Sequence, residues 1–150
     1  MKKVIICIVI IGLLTGGFYL FRSWAGGLAG GGESEHIVPD TAKTGEPVTI
    51  GLILNTWGKH TKSISERYTN ISLYYKLAGE NSYKSVQPTL VDLPANYKAA
   101  ISDMAQYEKY EFTIPAYSKG TMGEIEYYID LTFDGYPSHT EGIKKIQLIN

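Results

Sequence analysis

From Glu124 to Asp134, apolar and polar positions alternate one by one. Ile125, Tyr127, Ile129, Leu131 and Phe133 fall on one side, and Glu124, Glu126, Tyr128, Asp130, Thr132 and Asp134 on the other. A period of two belongs to a strand with one buried face, because a helix would scatter these positions around its circumference. The same alternation runs through Val48, Ile50, Leu52 and Leu54, through Ile71, Leu73, Tyr75 and Leu77, and through Tyr110, Phe112 and Ile114. These predict four strong strands, with weaker ones over 83–90 and 141–149 and a short one near His36 to Val38. Turn residues separate them at Gly45-Glu46-Pro47, Gly79-Glu80-Asn81-Ser82, Ser118-Lys119-Gly120 and Asp134-Gly135-Tyr136-Pro137. Between Asp92 and Ala105, the residues Tyr97, Ala100, Ile101 and Met104 take helical spacing, which reads as a loop holding one helical turn. About seven short strands without crossover helices predict an all-β fold, two antiparallel sheets packed face to face over residues 36–150.

The pattern before residue 36 is different. Met1, Lys2 and Lys3 precede an almost unbroken apolar run from Val4 to Phe21, closed by Arg22. Roughly 18 residues at about 1.5 Å rise give about 27 Å, close to the roughly 30 Å core of a bilayer, so residues 1–22 read as one N-terminal transmembrane helix, a membrane anchor or signal-anchor. A cleavable signal peptide is the competing reading, with small residues placed for processing at Ser23-Trp24-Ala25 and Gly27-Leu28-Ala29. Lys2, Lys3 and the free amine outweigh Arg22, which keeps the N-terminus cytoplasmic and exports the chain beyond residue 22 to the periplasm or the cell surface. The stretch 23–35, SWAGGLAGGGESE, has almost nothing to bury and reads as a Gly-rich flexible linker.

Charge sharpens this division. The whole chain carries Lys+Arg 14 against Asp+Glu 15, but without Lys2, Lys3 and Arg22 the remainder holds 11 basic and 15 acidic residues, a formal charge of −4. A nucleic-acid binder would carry a basic surplus, so none is expected as a partner. The single cysteine, Cys7, excludes a disulfide framework and a cysteine zinc site, and lies in the apolar run. No G-x-S-x-G, H-E-x-x-H or phosphate-cradling glycine loop occurs, so no enzyme, cofactor or metal is expected. His36, His60 and His139 are widely spaced and read as loop or strand-end residues. The carboxylates Glu124, Glu126, Asp130 and Asp134 could hold calcium, but at this spacing they read first as the solvated side of a strand.

Twelve tyrosines are the more informative chemistry. Tyr74 and Tyr128 fall opposite the inferred core, where aromatic rings build interfaces or sugar platforms, or simply cover the sheet by cross-strand packing. Trp57, beside Lys59 and His60 in the segment Asn55 to Glu66, is either an exposed anchor for a partner or a plug over the open end of the sandwich. The partner-binding candidates are therefore Trp57, Lys59, His60, Tyr74 and Tyr128.

The series EPVTIGLIL, ISLYYKLAGENSYKSV, YEFTIPAY and EIEYYIDLTFDG, over residues 48–135, resembles the B, C, E and F strands of immunoglobulin-like or fibronectin-type-III-like modules of exported, membrane-anchored microbial proteins. The resemblance implies an immunoglobulin-like β-sandwich, here without the antibody-type cysteine pair or an obvious core tryptophan on the C strand. Together these readings predict a single-span, extracytoplasmic binding or accessory module that meets a protein partner in a larger envelope assembly. The alternative is an exported carbohydrate-binding module.

Overall fold

The computed structural model describes residues 30–58, 63–102, 104–139 and 142–150. In chain order these form β1 (Gly30–Ile37), β2 (Thr41–Lys43), β3 (Val48–Trp57), α1 (Ile64–Arg67), β4 (Tyr68–Leu77), β5 (Lys84–Val86), β6 (Thr89–Val91), α2 (Ala95–Ala100), β7 (Ala105–Ile114), β8 (Gly123–Phe133), β9 (Tyr136–His139) and β10 (Lys144–Ile149). One sheet has the order β1-β3-β7-β6 and the other β2-β10-β8-β4-β5, with β9 also paired to β8. Neighbours are antiparallel except β2 and β10, which run parallel. The expected anchor over 1–22 lies outside the described residues, and among those described no helix is long and apolar enough to cross a membrane.

The alternation in β8 becomes burial. Ile125, Tyr127 and Ile129 are completely enclosed and Leu131 nearly so, while the intervening residues stay partly exposed. They meet Ile50, Leu52 and Leu54 of β3 and Phe112 and Ile114 of β7 across the sandwich, with Leu73 and Tyr75 of β4 and Ile146 and Leu148 of β10 completing one core. Each fully buried Leu or Ile contributes about 1.5–3 kcal/mol, so this shared interior is the main cohesive term.

Two bulges tune which residues face inward. In β4 the register slips between Thr69 and Ser72, with Asn70 at φ 54, a left-handed conformation that Asn tolerates. The extra residue changes parity, and Tyr68 and Ile71 both reach the core. In β1 a slip between Glu33 and Glu35 sets Glu33 opposite Leu54 and His36 opposite Leu52, two inward positions of β3.

Among the described residues there are ten strands rather than the expected seven or so, for local reasons. The stretch 83–90 divides at Pro88, whose missing N–H interrupts the ladder, so β5 belongs to one sheet and β6 to the other. Ahead of β10, β9 closes a two-residue hairpin with β8 through Asp134 at φ 48 and Gly135 at φ 84, the mirror-image turn suited to strand twist. The region 92–105 contains one short helix, α2, as its spacing suggested.

The expected linker over 23–35 is corrected at its C-terminal end. Gly30 to Glu35 pair with β3, from Trp57 to Ile53. Glycine makes that pairing possible rather than floppy. A Cβ on Gly31 would lie 2.4 Å from Phe133 Cε2 and 2.5 Å from the Tyr68 hydroxyl, and one on Gly30 would lie 2.3 Å from the Trp57 indole. The absence of side chains is what lets three aromatic rings close over this backbone.

Candidate functional site

The outer face of the β2-β10-β8-β4-β5 sheet carries the side chains that alternation leaves over. Tyr74 of β4 stands directly opposite Tyr128 of β8. Their rings stack with centroids 5.1 Å apart and planes only 12° from parallel. Tyr83, just before β5, meets Tyr128 edge-on at 5.0 Å, and the Lys76 ammonium lies 5.0 Å from the centre of the Tyr83 ring. All three tyrosines are half-buried. Burial, then the neighbouring Asp130 carboxylate, pushes the Tyr128 phenol above its ordinary pKa, so that hydroxyl stays neutral.

Charges border the rings in compensating pairs. Lys76 Nζ lies 3.4 Å from Glu126, and Lys145 lies 2.7 Å from Glu124 and 3.8 Å from Glu126. The turn that delivers Tyr83 is held by Glu80, which accepts from the Leu77 N–H at 2.9 Å and from Lys84 Nζ at 3.0 Å. The Leu77 amide, then Lys84, holds the Glu80 carboxyl below its usual range. The result is an aromatic patch with hydroxyl tips, one cation on a ring, and a charge-balanced border.

The five sequence-derived candidates do not form one site. Tyr74 and Tyr128 come together as described. Trp57 ends β3 on the other sheet, 51% exposed, with its indole across Gly30 rather than over the open end of the core. Ile64 of α1, only 1% exposed, fills that end instead. Thus the segment Asn55 to Glu66, read as a polar loop, supplies the last three residues of β3 and a core residue. Lys59 and His60 lie outside the described residues. Sequence reasoning missed Tyr83 and Lys76, whose part in the cluster depends on the β4–β5 register. It also missed α1, although Ser63 and Glu66 mark its start, with the Ser63 N–H donating to Glu66 Oε2 at 2.7 Å.

A second polar group sits between the sheets at the β1 edge. Lys144 Nζ donates to His36 Nδ1, which leaves the proton on Nε2, 3.3 Å from the Tyr127 hydroxyl. Glu33 lies 3.5 Å from Nδ1, yet burial first and Lys144 second lower the His36 pKa to about 4 and keep the ring neutral. Among the described residues no three His, Cys, Asp or Glu side chains gather as a metal ion would require. An open groove beside β2, lined by Pro39, Lys43, Glu46, Pro47 and Ile149, holds no such convergence either.

Compared with protein-family models, with curated proteins and with solved structures, the chain matches none.

Proposed function

We propose that this chain is a single-span, membrane-anchored module whose exported immunoglobulin-like sandwich binds a protein partner in an envelope assembly. What supports the immunoglobulin-like part is strand order. Assigning β3, β4, β7 and β8 to the B, C, E and F positions makes one sheet A-B-E-D and the other G-F-C-C′, with β2 added beside G. The apolar run 4–21 and its flanking lysines support the anchor and the export of the domain.

The Tyr74–Tyr128 stack is the observation that carries the binding role. A sugar platform needs ring faces open to solvent, whereas here two faces are spent on each other and Tyr83 packs edge-on against Tyr128. What the cluster offers outward is edges, hydroxyls and the Lys76 stem, a surface suited to a protein partner. An exported carbohydrate-binding module is the second reading, favoured only by three tyrosines sharing one sheet face.

A photo-crosslinking residue at position 83 of the tagged, membrane-resident chain tests the choice. A discrete protein adduct is expected, and Tyr128→Ala should remove it, as a hot-spot truncation of about 2 kcal/mol or more would. Adducts with polysaccharide alone would transfer the site to the second reading, and no adduct would remove it.

A further inference from the structure

Among the described residues, four of the nine exposed large apolar side chains, Trp57, Ile101, Met104 and Tyr136, stand at one end of the sandwich. The ladder places them there. Trp57 pairs with Gly30 on one side and Ala105 on the other, and the Gly58 N–H donates to the Met104 carbonyl at 2.9 Å. Ser102 bridges to Ala105, which brings Ile101 to the same rim. Across the core, Tyr136 pairs with Phe133, whose ring meets Tyr68 at 4.8 Å and faces Gly31. Arg67, bonded to Asp134 and reaching the Gly30 carbonyl at 3.5 Å, ties this hairpin to the start of β1.

This is also the end at which the chain arrives from its apolar run. Because β1 begins at Gly30, only residues 23–29 separate it from Arg22, and at about 3.5 Å per residue eight steps reach no farther than about 28 Å. Trp57 lies across the arriving backbone itself. Tryptophan and tyrosine favour the boundary between headgroups and acyl chains, where an apolar ring and a polar tip are both satisfied, and Met and Ile add area that water does not solvate well.

We propose that this end of the domain lies on the membrane surface, with Trp57, Ile101, Met104 and Tyr136 seated among the lipid headgroups. The proposal rests on residues 4–21 being a span, and it adds an orientation: the sandwich stands end-on, and the Tyr74–Tyr83–Tyr128 face turns sideways toward partners in the same membrane.

The chain has two tryptophans, so Trp24→Phe leaves Trp57 as the reporter. The full chain is reconstituted in phosphatidylcholine/phosphatidylglycerol vesicles carrying nitroxide lipids labelled either at the headgroup or deep in the acyl chain. Trp57 emission should be quenched by the headgroup label and not by the deep one, and adding Ile101→Asp with Met104→Asp should abolish the quenching while the far-ultraviolet strand signal is kept. If Trp57 is unquenched while Trp24 is quenched in the companion Trp57→Phe chain, the anchor stands and the docking falls. If neither is quenched and the chain does not float with vesicles, both fall. Trp57 that is unquenched by either lipid label and whose emission shifts to the red as protein is diluted into excess lipid assigns the rim to a second copy. Trp57 shielded from aqueous iodide without lipid quenching assigns it to residues 1–29. Either result overturns membrane docking.

Discussion

Two buried side chains set opposite expectations for stability. Thr56 is fully enclosed on the inward face of β3, and its hydroxyl has no hydrogen-bond partner among the described residues. Thr56→Val keeps the shape and removes a desolvated hydroxyl, so it should stabilise the domain by about 1 kcal/mol, read as a higher urea midpoint with an unchanged slope. His36, its side chain 6% exposed, is held neutral down to pH about 4, whereas in the unfolded chain its pKa is about 6.5. Between those values the unfolded state takes up a proton that the folded ring, facing Lys144, Tyr127 and Glu33, excludes. Stability is therefore complete above pH 6.5 and declines as pH falls toward 4, by no more than about 3 kcal/mol. Urea titrations across that window should show the decline, and His36→Gln should flatten it.

At the level of elements, β1 behaves least like an ordinary strand. Its sequence, GGGESEHI, offers almost no apolar alternation, and its pairing with β3 depends on what glycine leaves out. Gly30 and Gly31 should differ for that reason. Alanine at Gly30 meets the half-exposed Trp57 indole, which can swing aside, whereas alanine at Gly31 meets Phe133 and a Tyr68 hydroxyl fixed to the Asn55 carbonyl at 3.0 Å. Gly31→Ala should cost about 1–3 kcal/mol and expose β1 to protease, and Gly30→Ala should cost clearly less. The contrast also explains what was legible in the sequence. β3, β4, β7 and β8 could be read because a period of two is local information. Of β1 only its end near His36 could be read, since Phe133 and Tyr68, which meet its glycines, are distant in sequence, and the change of sheet at Pro88 could not. Tyr74 and Tyr128 were recognisable as outward residues by parity alone, but the third ring required the β4–β5 register. Trp57 read as a loop residue because Asn55 and Thr56 interrupt the apolar run, although the ladder continues through both.

For the whole molecule, the position of β10 matters most. It lies between β8 and β2, pairing Ile146 with Ile125 and Gln147 with Thr41, and its Ile146 and Leu148 are buried. Deleting residues 144–150 removes two core side chains, worth about 1.5–3 kcal/mol each, and leaves β2 without its partner. Against a typical domain stability of about 5–15 kcal/mol, that deletion should abolish the cooperative urea transition. The same arrangement has a consequence in time. Thr41 cannot find its place until Gln147 is present, so the sheet remains unfinished until β10 has been synthesised, and closes only afterwards. Chains dominated by such distant pairings fold over milliseconds to seconds, the slow end for small domains. During that interval the unpaired backbone of β8 would be exposed as an edge, and pulse-labelled chains should acquire protease resistance in one late step rather than strand by strand.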